Sequence, residues 1–562
     1  ERVDVTAGGG YVAVRVGTSS QAIGFRGLPA DANWRMADHH LILALPVLTS
    51  PVRLEISIGP VLDDVGAEYL REHVANTAPV RDLTPLTQPG PGQYEIVQTQ
   101  AVTGADTGPF AVDVLTLPED NPWNSFVRLT GVDFLSDGRA VVSSLSGDIW
   151  LVSGITEQLG TLGWKRYATG LNQPLGVRVV DDQIYVTGRD QITRLHDRNG
   201  DDEADFYEAF NNEIMAGWNY HEFTMHLETD SEGNFYFAKA TPWPPYERGR
   251  NTEITPHHGV LFRLSPDGSD LQVIATGMRN PNGLAIGPND EIAYTDQQGH
   301  WMPTSPLHLI QDGGFYGFVP SAHLEEAPTS FPNPILWTPQ QVDNSPGNPI
   351  WITSQTWPEE LQGGLMLASY GRANLSLILT ETVNGEVQGG HLNLPLTFES
   401  GLLRGRFAPD GHLYVNGLTS WQSAGAKPGS FHRVRYTGRS LYLPTALNVK
   451  ANGIVLRFSD PVDPVTAADP ANYEVERWNY RWTSNYGSPL VSVSDPQREG
   501  IDSVTVTSVQ LGEDGRTVFL ELPDMRPVMS MAIRYDLRAR DGTEMKHAIH
   551  NTIHAVPEEP WR

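Results

Sequence analysis

The chain contains no cysteine among its 562 residues. Disulfides, thiolate metal sites, a catalytic cysteine and a covalently attached c-type haem are therefore excluded within it. It also has no apolar run of about 18 residues, so nothing in the sequence is predicted to span a membrane. Basic residues are scarce, with 39 Lys and Arg against 67 Asp and Glu, a formal net charge of −28. That charge excludes nucleic acid as an expected partner.

The composition favours a turn-rich β protein exported from the cytoplasm. Glycine (54) and proline (42) are abundant, and few stretches have helical periodicity. The sequence begins at Glu1 instead of Met, which is typical of a processed, mature chain. We therefore expect a secreted or periplasmic protein of two to four domains.

A repeated pattern of short strands and Asp-Gly turns runs through the middle of the chain. The first copy spans Val132–Val152, and Asp-Gly pairs recur at Asp267–Gly268 and Asp410–Gly411. Such pairs mark hairpins, and repeats of a β-meander at this period predict a β-propeller. We count six copies, with five or seven left open.

The prediction is an all-β chain with three domains. Residues 1–115 are expected to form an N-terminal β-rich domain, residues 116–440 a six-bladed propeller, and residues 441–562 an immunoglobulin-like β-sandwich without a disulfide. The last assignment depends on alternating strands separated by turns after Tyr442.

One acidic loop has the spacing of a calcium site. Its carboxylates and amide follow a D-x-N-x-D pattern, and a further carboxylate stands at the twelfth position, where it could close the ligand shell. The sixth position is Asp202 where an EF-hand has glycine, so a helix-free variant is expected. The predicted ligands are Asp197, Asn199, Asp201, Asp205 and Glu208. The alternative is a solvated inter-blade turn.

Polar residues at strand ends in the repeat region resemble those of the soluble pyrroloquinoline quinone (PQQ) sugar dehydrogenases. His221 precedes a strand, Arg279–Asn280 precede a Pro-Asn-Gly turn, Gln298–Gly299–His300 follow a strand, and Arg404 and Arg406 lie two apart on one strand face. Counterparts of these occur in the same order in that family. The chain also resembles a large group of uncharacterised secreted bacterial propeller proteins, often labelled as dehydrogenases and often fused to c-type haem domains.

The resemblance implies a role for each residue. His221 would be the base that takes the proton of a sugar hydroxyl, and Arg279, Asn280 and Gln298 would lie at the cofactor. Gly299 and His300 would belong to the turn whose carbonyls hold calcium. Arg404 and Arg406, with Arg372 in the place of the family's lysine, would bind the carboxylates of PQQ. His300 departs from the family, which usually has proline there.

The implied function is the oxidation of a sugar or related alcohol with PQQ and calcium, with electrons passing to a cytochrome-type partner. Two alternatives stay open. The chain could be a non-catalytic propeller subunit of an extracellular or periplasmic, cytochrome-containing assembly. It could also be a metal-dependent polysaccharide hydrolase or lyase with a mononuclear metal site. The candidate ligands for that metal are His221, Glu222, His257, His258, His300 and Asp296.

Overall fold

The computed structural model describes residues 3–8, 11–16, 19–37, 40–60, 72, 84–217, 219–242 and 254–561. Within these residues the chain divides into two compact units, Glu1–Gly90 and Pro91–Arg562. None of the helices described there is both long and apolar enough to cross a membrane.

The first unit consists of short antiparallel strands. Four of them form one sheet in the order β1-β2-β3-β6, and β4 and β5 form a separate hairpin. The strands are β1 (Val3–Gly8), β2 (Tyr11–Val16), β3 (Ser19–Arg26), β4 (Asn33–Ala37), β5 (His40–Ala44) and β6 (Glu55–Pro60), followed by a single 3-10 turn at Thr84–Thr87.

The second unit begins with two strands that join the propeller, β7 (Val97–Val102) and β8 (Phe110–Leu115). The sequence analysis assigned both to the N-terminal domain. In the structure β7 pairs with an outer propeller strand, and β8 pairs along Phe110–Val114 with Tyr436–His432. The compact unit therefore starts near Pro91, and β8 supplies the strand that closes the ring.

Five propeller sheets follow one another along the chain, and the sixth is completed by β8. The first sheet contains β9 (Leu129–Phe134), β10 (Ala140–Ser144), β11 (Ile149–Ser153) and β12 (Thr161–Ala168), and the second contains β13 (Gly176–Val180), β14 (Gln183–Thr187), β15 (Ile192–His196) and β16 (Phe206–Asn211). The third contains β17 (Thr224–Thr229), β18 (Phe235–Lys239), β19 (Val260–Leu264) and β20 (Leu271–Thr276), to which β24 (Gly314–Phe315) is added. The fourth contains β21 (Gly283–Ile286), β22 (Ile292–Thr295), β23 (Ser305–Leu309) and β25 (Leu336–Thr338). The last two consist of β26 (Pro346–Trp351), β27 (Leu365–Ser369), β28 (Asn374–Val383) and β29 (Glu386–Asn393); and β30 (Gly401–Phe407), β31 (Leu413–Leu418), β32 (Gly429–Tyr436) and β8.

The first strands of these sheets form a ring. Strand β9 contacts β13, and the contacts continue through β17, β21, β26 and β30 and then return to β9. Apolar clusters fill the spaces between adjacent sheets; one of them contains the fully buried Trp150 and Trp164. The all-β class and the propeller architecture are therefore confirmed.

The C-terminal region contains two antiparallel sheets around a shared apolar core. One sheet has the order β33-β34-β38-β37, and the other, β40-β39-β35-β36, continues the fifth propeller sheet through pairing of β40 with β29. The strands are β33 (Pro444–Lys450), β34 (Gly453–Phe458), β35 (Tyr473–Trp478), β36 (Asp502–Val504), β37 (Ser508–Leu511), β38 (Thr517–Glu521), β39 (Val528–Arg538) and β40 (Glu544–Ile553). Single helical turns lie at Val319–Ser321, Glu359–Leu361, Pro464–Ala467 and Pro470–Asn472. The immunoglobulin-like assignment stays a prediction.

Candidate functional site

A cavity of about 520 Å³ opens where the inner strands begin, and we call it the mouth cavity. Its lining combines aromatic rings, side-chain amides and one guanidinium, a mixture typical of small-molecule sites. Residues just before the inner strands β13, β17, β21 and β26 contribute to it, and Leu403 lies near the start of β30. The lining residues are Leu175, His221, Phe223, Met225, Thr241, Pro242, Arg279, Asn280, Asn282, Gln297, Phe318, Asn344, Ser345, Tyr370, Leu403, Leu418, Trp421, Gln422 and Tyr486.

His221 lies in an aromatic part of this cavity. Its ring centroid is 4.2 Å from that of Tyr220, 5.7 Å from that of Phe223 and 6.4 Å from that of Trp421. Burial, assisted by the charge of Arg279, lowers the pKa of His221 to about 4. The imidazole is therefore neutral at neutral pH and can accept a proton.

A buried carboxylate shapes the loop that carries His221. Glu222 is fully buried and accepts hydrogen bonds from the backbone N–H of Gly217 and of Asn219 (3.0 Å). The Nε2 of His258 lies 3.2 Å from Glu222 Oε2. Burial alone would raise the pKa of Glu222, but the His258 contact and the two N–H donors lower it to about 2. Glu222 thus holds the loop as a permanent anion.

Asp296 performs a similar task for Arg279 and Asn280. Its carboxylate accepts the backbone N–H of Arg279 (2.7 Å), of Asn280 (2.8 Å) and of Gln297 (2.7 Å). Full burial nevertheless raises the pKa of Asp296 above its ordinary value. The contacts direct the Arg279 and Asn280 side chains to the cavity, while the acid itself is not among the lining residues.

The C-terminal region forms part of the cavity wall. Tyr486 lies in the segment between β35 and β36, and its ring centroid is 5.5 Å from the Arg279 guanidinium carbon. The segment is attached to the propeller by Gly487 N–H donating to Gly299 O (2.9 Å) and Trp301 N–H donating to Thr483 O (3.0 Å). The indole N–H of Trp482 donates to Gly317 O at 2.9 Å.

Gly299 lies directly beneath the Arg279 side chain. A Cβ atom at residue 299 would come within 1.9 Å of Arg279 Nε, so only glycine permits this course of the arginine. The carbonyl of Gly299, which the resemblance assigns to calcium, accepts the N–H of Gly487. Gln298 donates from Nε2 to Pro303 O (3.2 Å), and His300 forms a β-bridge with Tyr486.

The late arginine pair lies deeper in the central channel than the cavity. Arg404 is buried and donates to three backbone carbonyls, those of Asn282 (2.8 Å), Leu403 (2.9 Å) and Leu175 (3.1 Å). Arg406 Nη2 donates to both carboxylate oxygens of Glu228, at 2.7 and 2.6 Å. Both side chains are engaged within the protein.

Arg372 is also engaged outside the mouth cavity. Its guanidinium donates to the carbonyls of Gln341 (2.8 Å) and Gln340 (3.2 Å). Of the cationic residues that the resemblance places at a cofactor, Arg279 alone is among the residues lining the cavity in the described part of the chain.

The acidic loop at 197–208 is held together by its own backbone. Asp197 accepts N–H groups from Gly200 (2.7 Å) and Asp202 (2.9 Å), and Asp205 accepts that of Arg198 (2.8 Å). Asn199 donates from Nδ2 to Asp201 at 3.1 Å. Glu208 lies on β16, where it pairs with Arg194 and His196 at 2.7 Å.

Among the residues that the structure describes, no three or more His, Cys, Asp or Glu side chains are grouped as a metal site. The six residues considered for a mononuclear metal are accordingly divided among separate contacts. Glu222 and His258 pair with each other, Asp296 binds backbone N–H groups, and His257 Nδ1 accepts the N–H of Met215 at 3.1 Å.

Sequence reasoning missed five aromatic members of the cavity: Phe223, Phe318, Tyr370, Trp421 and Tyr486. Trp421 follows β31 in a polar loop, and Tyr486 lies in a Gly- and Ser-containing segment of the C-terminal region. Neither has a spacing relative to His221 that could reveal their proximity. An exposed aromatic residue in a loop was the available signal.

No protein-family model matches the chain, and no curated protein matches it. Solved structures do. An oxidoreductase described as a glucose dehydrogenase, from Thermus thermophilus, is 19% identical, with a TM-score of 0.44 over 58% of this chain and 100% of that one. The PQQ domain of pyranose dehydrogenase from Coprinopsis cinerea is 10% identical, with a TM-score of 0.42 over 62% of this chain and 99% of that one.

A carbohydrate-active enzyme of family AA12 from Trichoderma reesei, in its calcium structure, is 13% identical, with a TM-score of 0.43 over 61% of this chain and 98% of that one. At TM-scores below 0.5, the chemistry of this chain has to be argued from its own residues.

Proposed function

We propose that this chain is a carbohydrate-active enzyme whose reaction site is the mouth cavity and whose base is His221. The observation that carries the proposal is the position of a neutral imidazole in a cavity lined by aromatic rings and side-chain amides. Aromatic faces pack against the C–H faces of sugars, and Asn and Gln can both donate to and accept from sugar hydroxyls. The volume of about 520 Å³ is in the range of small-ligand pockets.

His221 would take a proton from the bound carbohydrate. Its lowered pKa keeps it unprotonated at neutral pH, and Phe223 and Trp421 limit the water around its ring. Asn280 and Gln297 would orient the substrate through hydrogen bonds, which fixes the reacting hydroxyl near the imidazole.

Oxidation of a sugar or related alcohol is the reaction class to test first. His221, Arg279 and Asn280, three residues of the sequence resemblance, line one cavity although 58 residues separate His221 from Arg279 in the sequence. In such an oxidation the hydroxyl proton would go to His221 and the hydride to a bound two-electron acceptor, from which electrons would pass to a cytochrome-type partner in a secreted or periplasmic setting.

The residues present do not fit PQQ and calcium in the manner that the resemblance implies. PQQ carries three carboxylates, whereas the described cavity lining offers one cationic side chain, Arg279. Arg404, Arg406 and Arg372 donate to carbonyls or to Glu228 instead. The carbonyl of Gly299 accepts an N–H. We therefore assign no step to PQQ or calcium.

The test compares the purified chain with His221→Gln and, as a matched control, His547→Gln in the C-terminal sheet. Each protein is incubated with a panel of sugars and oligosaccharides, with and without an artificial electron acceptor, and with and without PQQ and calcium. Mass spectrometry of the products distinguishes loss of two hydrogens from loss or gain of water.

We expect His221→Gln to lower turnover by at least about 100-fold while sugar binding persists, and His547→Gln to leave turnover unchanged. Loss of two hydrogens in an acceptor-dependent reaction would establish oxidation. Unaltered turnover in His221→Gln would remove the base from the proposal. Sugar binding without any reaction of the wild-type chain would favour a non-catalytic subunit.

A further inference from the structure

The described lining of the mouth cavity carries positive charge and no acid. Arg279 is its one charged member, and neither Asp nor Glu is among the lining residues of the described part of the chain. The rest of the lining is neutral. This contrasts with the chain as a whole, in which 67 Asp and Glu outnumber 39 Lys and Arg.

The guanidinium of Arg279 is held in a fixed position. The side chain passes over Gly299, which has no Cβ to block it, and its backbone is fixed by Asp296. The ring of Tyr486 packs against the guanidinium at 5.5 Å. A rigid, planar guanidinium recognises planar or tetrahedral oxyanions through paired hydrogen bonds better than a flexible ammonium group does.

The remaining lining suits the body of a sugar. Trp421 and Tyr370 offer ring faces, and Asn344, Gln297 and Gln422 offer amides, all in the same cavity as Arg279. A small inorganic anion would use the guanidinium and leave these groups without a role. An anionic sugar would use both.

We propose that the substrate class of this site is an anionic carbohydrate, in which Arg279 binds a carboxylate or sulfate ester and the aromatic and amide groups bind the ring. The proposal deepens the proposed function and depends on it. It also gives the C-terminal region a part in recognition, because Tyr486 and its attachment at Gly299 hold the guanidinium in place.

The test is isothermal titration of the full chain with glucose, glucuronate and glucose 6-sulfate at one pH and ionic strength. We expect at least one of the two anionic sugars to bind roughly tenfold or more tightly than glucose, because a charge-assisted hydrogen-bond pair is added. The tighter of the two identifies the anionic group. Equal affinities for all three sugars would overturn the proposal.

Two variants locate the effect. Arg279→Gln should remove the preference for the anionic sugar over glucose, whereas Arg279→Lys, which keeps the charge but not the planar fork, should keep part of it. Retention of the full preference in Arg279→Gln would contradict the assignment. If that variant does not fold, as judged by its near-UV circular dichroism, Tyr486→Ala serves instead; it removes the ring that packs against the guanidinium, and its preference should shrink.

Failure of the inference and failure of the proposed function are distinguishable. Glucose binding without an anionic preference contradicts only the inference, and leaves the mouth cavity as a carbohydrate site. Absence of binding by all three sugars contradicts both.

Discussion

The two ends of the central channel are built from the same inner strands but serve different purposes. At the mouth, the strand starts present rings, amides and one arginine around a cavity of about 520 Å³. Toward the other end, the same strands present charges that pair with one another. Arg406 binds Glu228, and Arg178 donates to Asp133 at 2.9 Å. Between the ends, beside Arg404, the free volume falls to about 10 Å³.

The two ends therefore contain residues with different roles: those at the mouth can contact a ligand, and those at the other end stabilise the ring. Opposite charges that satisfy each other across the strands stabilise the ring and offer little to a ligand. A cation packed against an aromatic ring, with no acid among the described lining residues, can also bind an anionic ligand. The pair Arg404 and Arg406, which the resemblance assigns to the carboxylates of PQQ, belongs to the residues that stabilise the ring.

The largest expected effect comes from breaking the paired end. Glu228→Gln removes the charge that Arg406 contacts at 2.7 and 2.6 Å, and leaves the partly buried guanidinium with the more distant Asp133 carboxylate, at 3.5 Å. The free energy of unfolding should fall by roughly 3 kcal/mol, as measured by urea denaturation. Glu544→Gln, on an exposed ion pair, is the control and should change it by less than about 0.5 kcal/mol. A loss in Glu228→Gln no greater than in the control would show that the pair does not stabilise the channel.

A smaller effect is expected from an aromatic residue of the mouth. Trp421→Ala should weaken carbohydrate binding roughly tenfold in isothermal titration, since a large ring face next to His221 is lost. Its thermal stability should change little, because the side chain is 47% exposed. Trp561→Ala, at the end of the chain, controls for the loss of a tryptophan. Equal affinities in the two variants would place the sugar elsewhere.

The smallest expected effect is that of pH on kcat/KM, which should hardly change between pH 7 and pH 5.5. A histidine with an ordinary pKa near 6.5 would lose about tenfold of its neutral form between pH 7 and pH 5.5. Because burial and Arg279 lower the pKa of His221 to about 4, kcat/KM should change less than about twofold over that interval and fall only near pH 4. A tenfold loss by pH 5.5, in protein that remains folded, would contradict the environment described for His221.

Buried histidines whose pKa values are lowered in the folded protein also make stability depend on pH. His391 and His550 have pKa values lowered by burial to about 3 and about 4, below the value near 6.5 expected in the unfolded chain. Between those limits the unfolded chain binds more protons, so these groups make the free energy of unfolding fall as pH decreases. Each contributes a slope on the order of 1 kcal/mol per pH unit within its window. Urea denaturation at pH 7 and at pH 5 would measure this change in the free energy of unfolding.

Local patterns were sufficient to predict much of the fold. Asp-Gly turns between alternating strands indicated the propeller, and those at Asp137–Gly138 and Asp410–Gly411 connect inner strands to their neighbours. The closing strand was not recognisable, because Phe110–Leu115 is short and its partner β32 lies more than 300 residues away. One signal that β8 has a distant partner strand was Asp113, a lone acid in an apolar alternating strand. Its carboxylate accepts hydrogen bonds from Arg433 and Arg435 of β32.

The candidate site was only partly predictable for the same reason. The Arg-x-Arg spacing indicates that Arg404 and Arg406 share one strand face, and in the structure that face is directed at the channel. Whether they meet a ligand or an internal acid depends on Glu228, 178 residues away from Arg406 and without a pattern that links the two. Tyr486 reaches the cavity from the C-terminal region, which no local periodicity can indicate.

The most direct test of the mouth cavity as the carbohydrate site is hydrogen exchange measured by mass spectrometry, with and without saturating glucuronate or glucose. The account predicts slower exchange in peptides covering residues 219–225, 278–283 and 418–424, and unchanged exchange at residues 353–356 and 408–411, which line the opposite opening. Protection at the opposite opening, or at neither end, would contradict it.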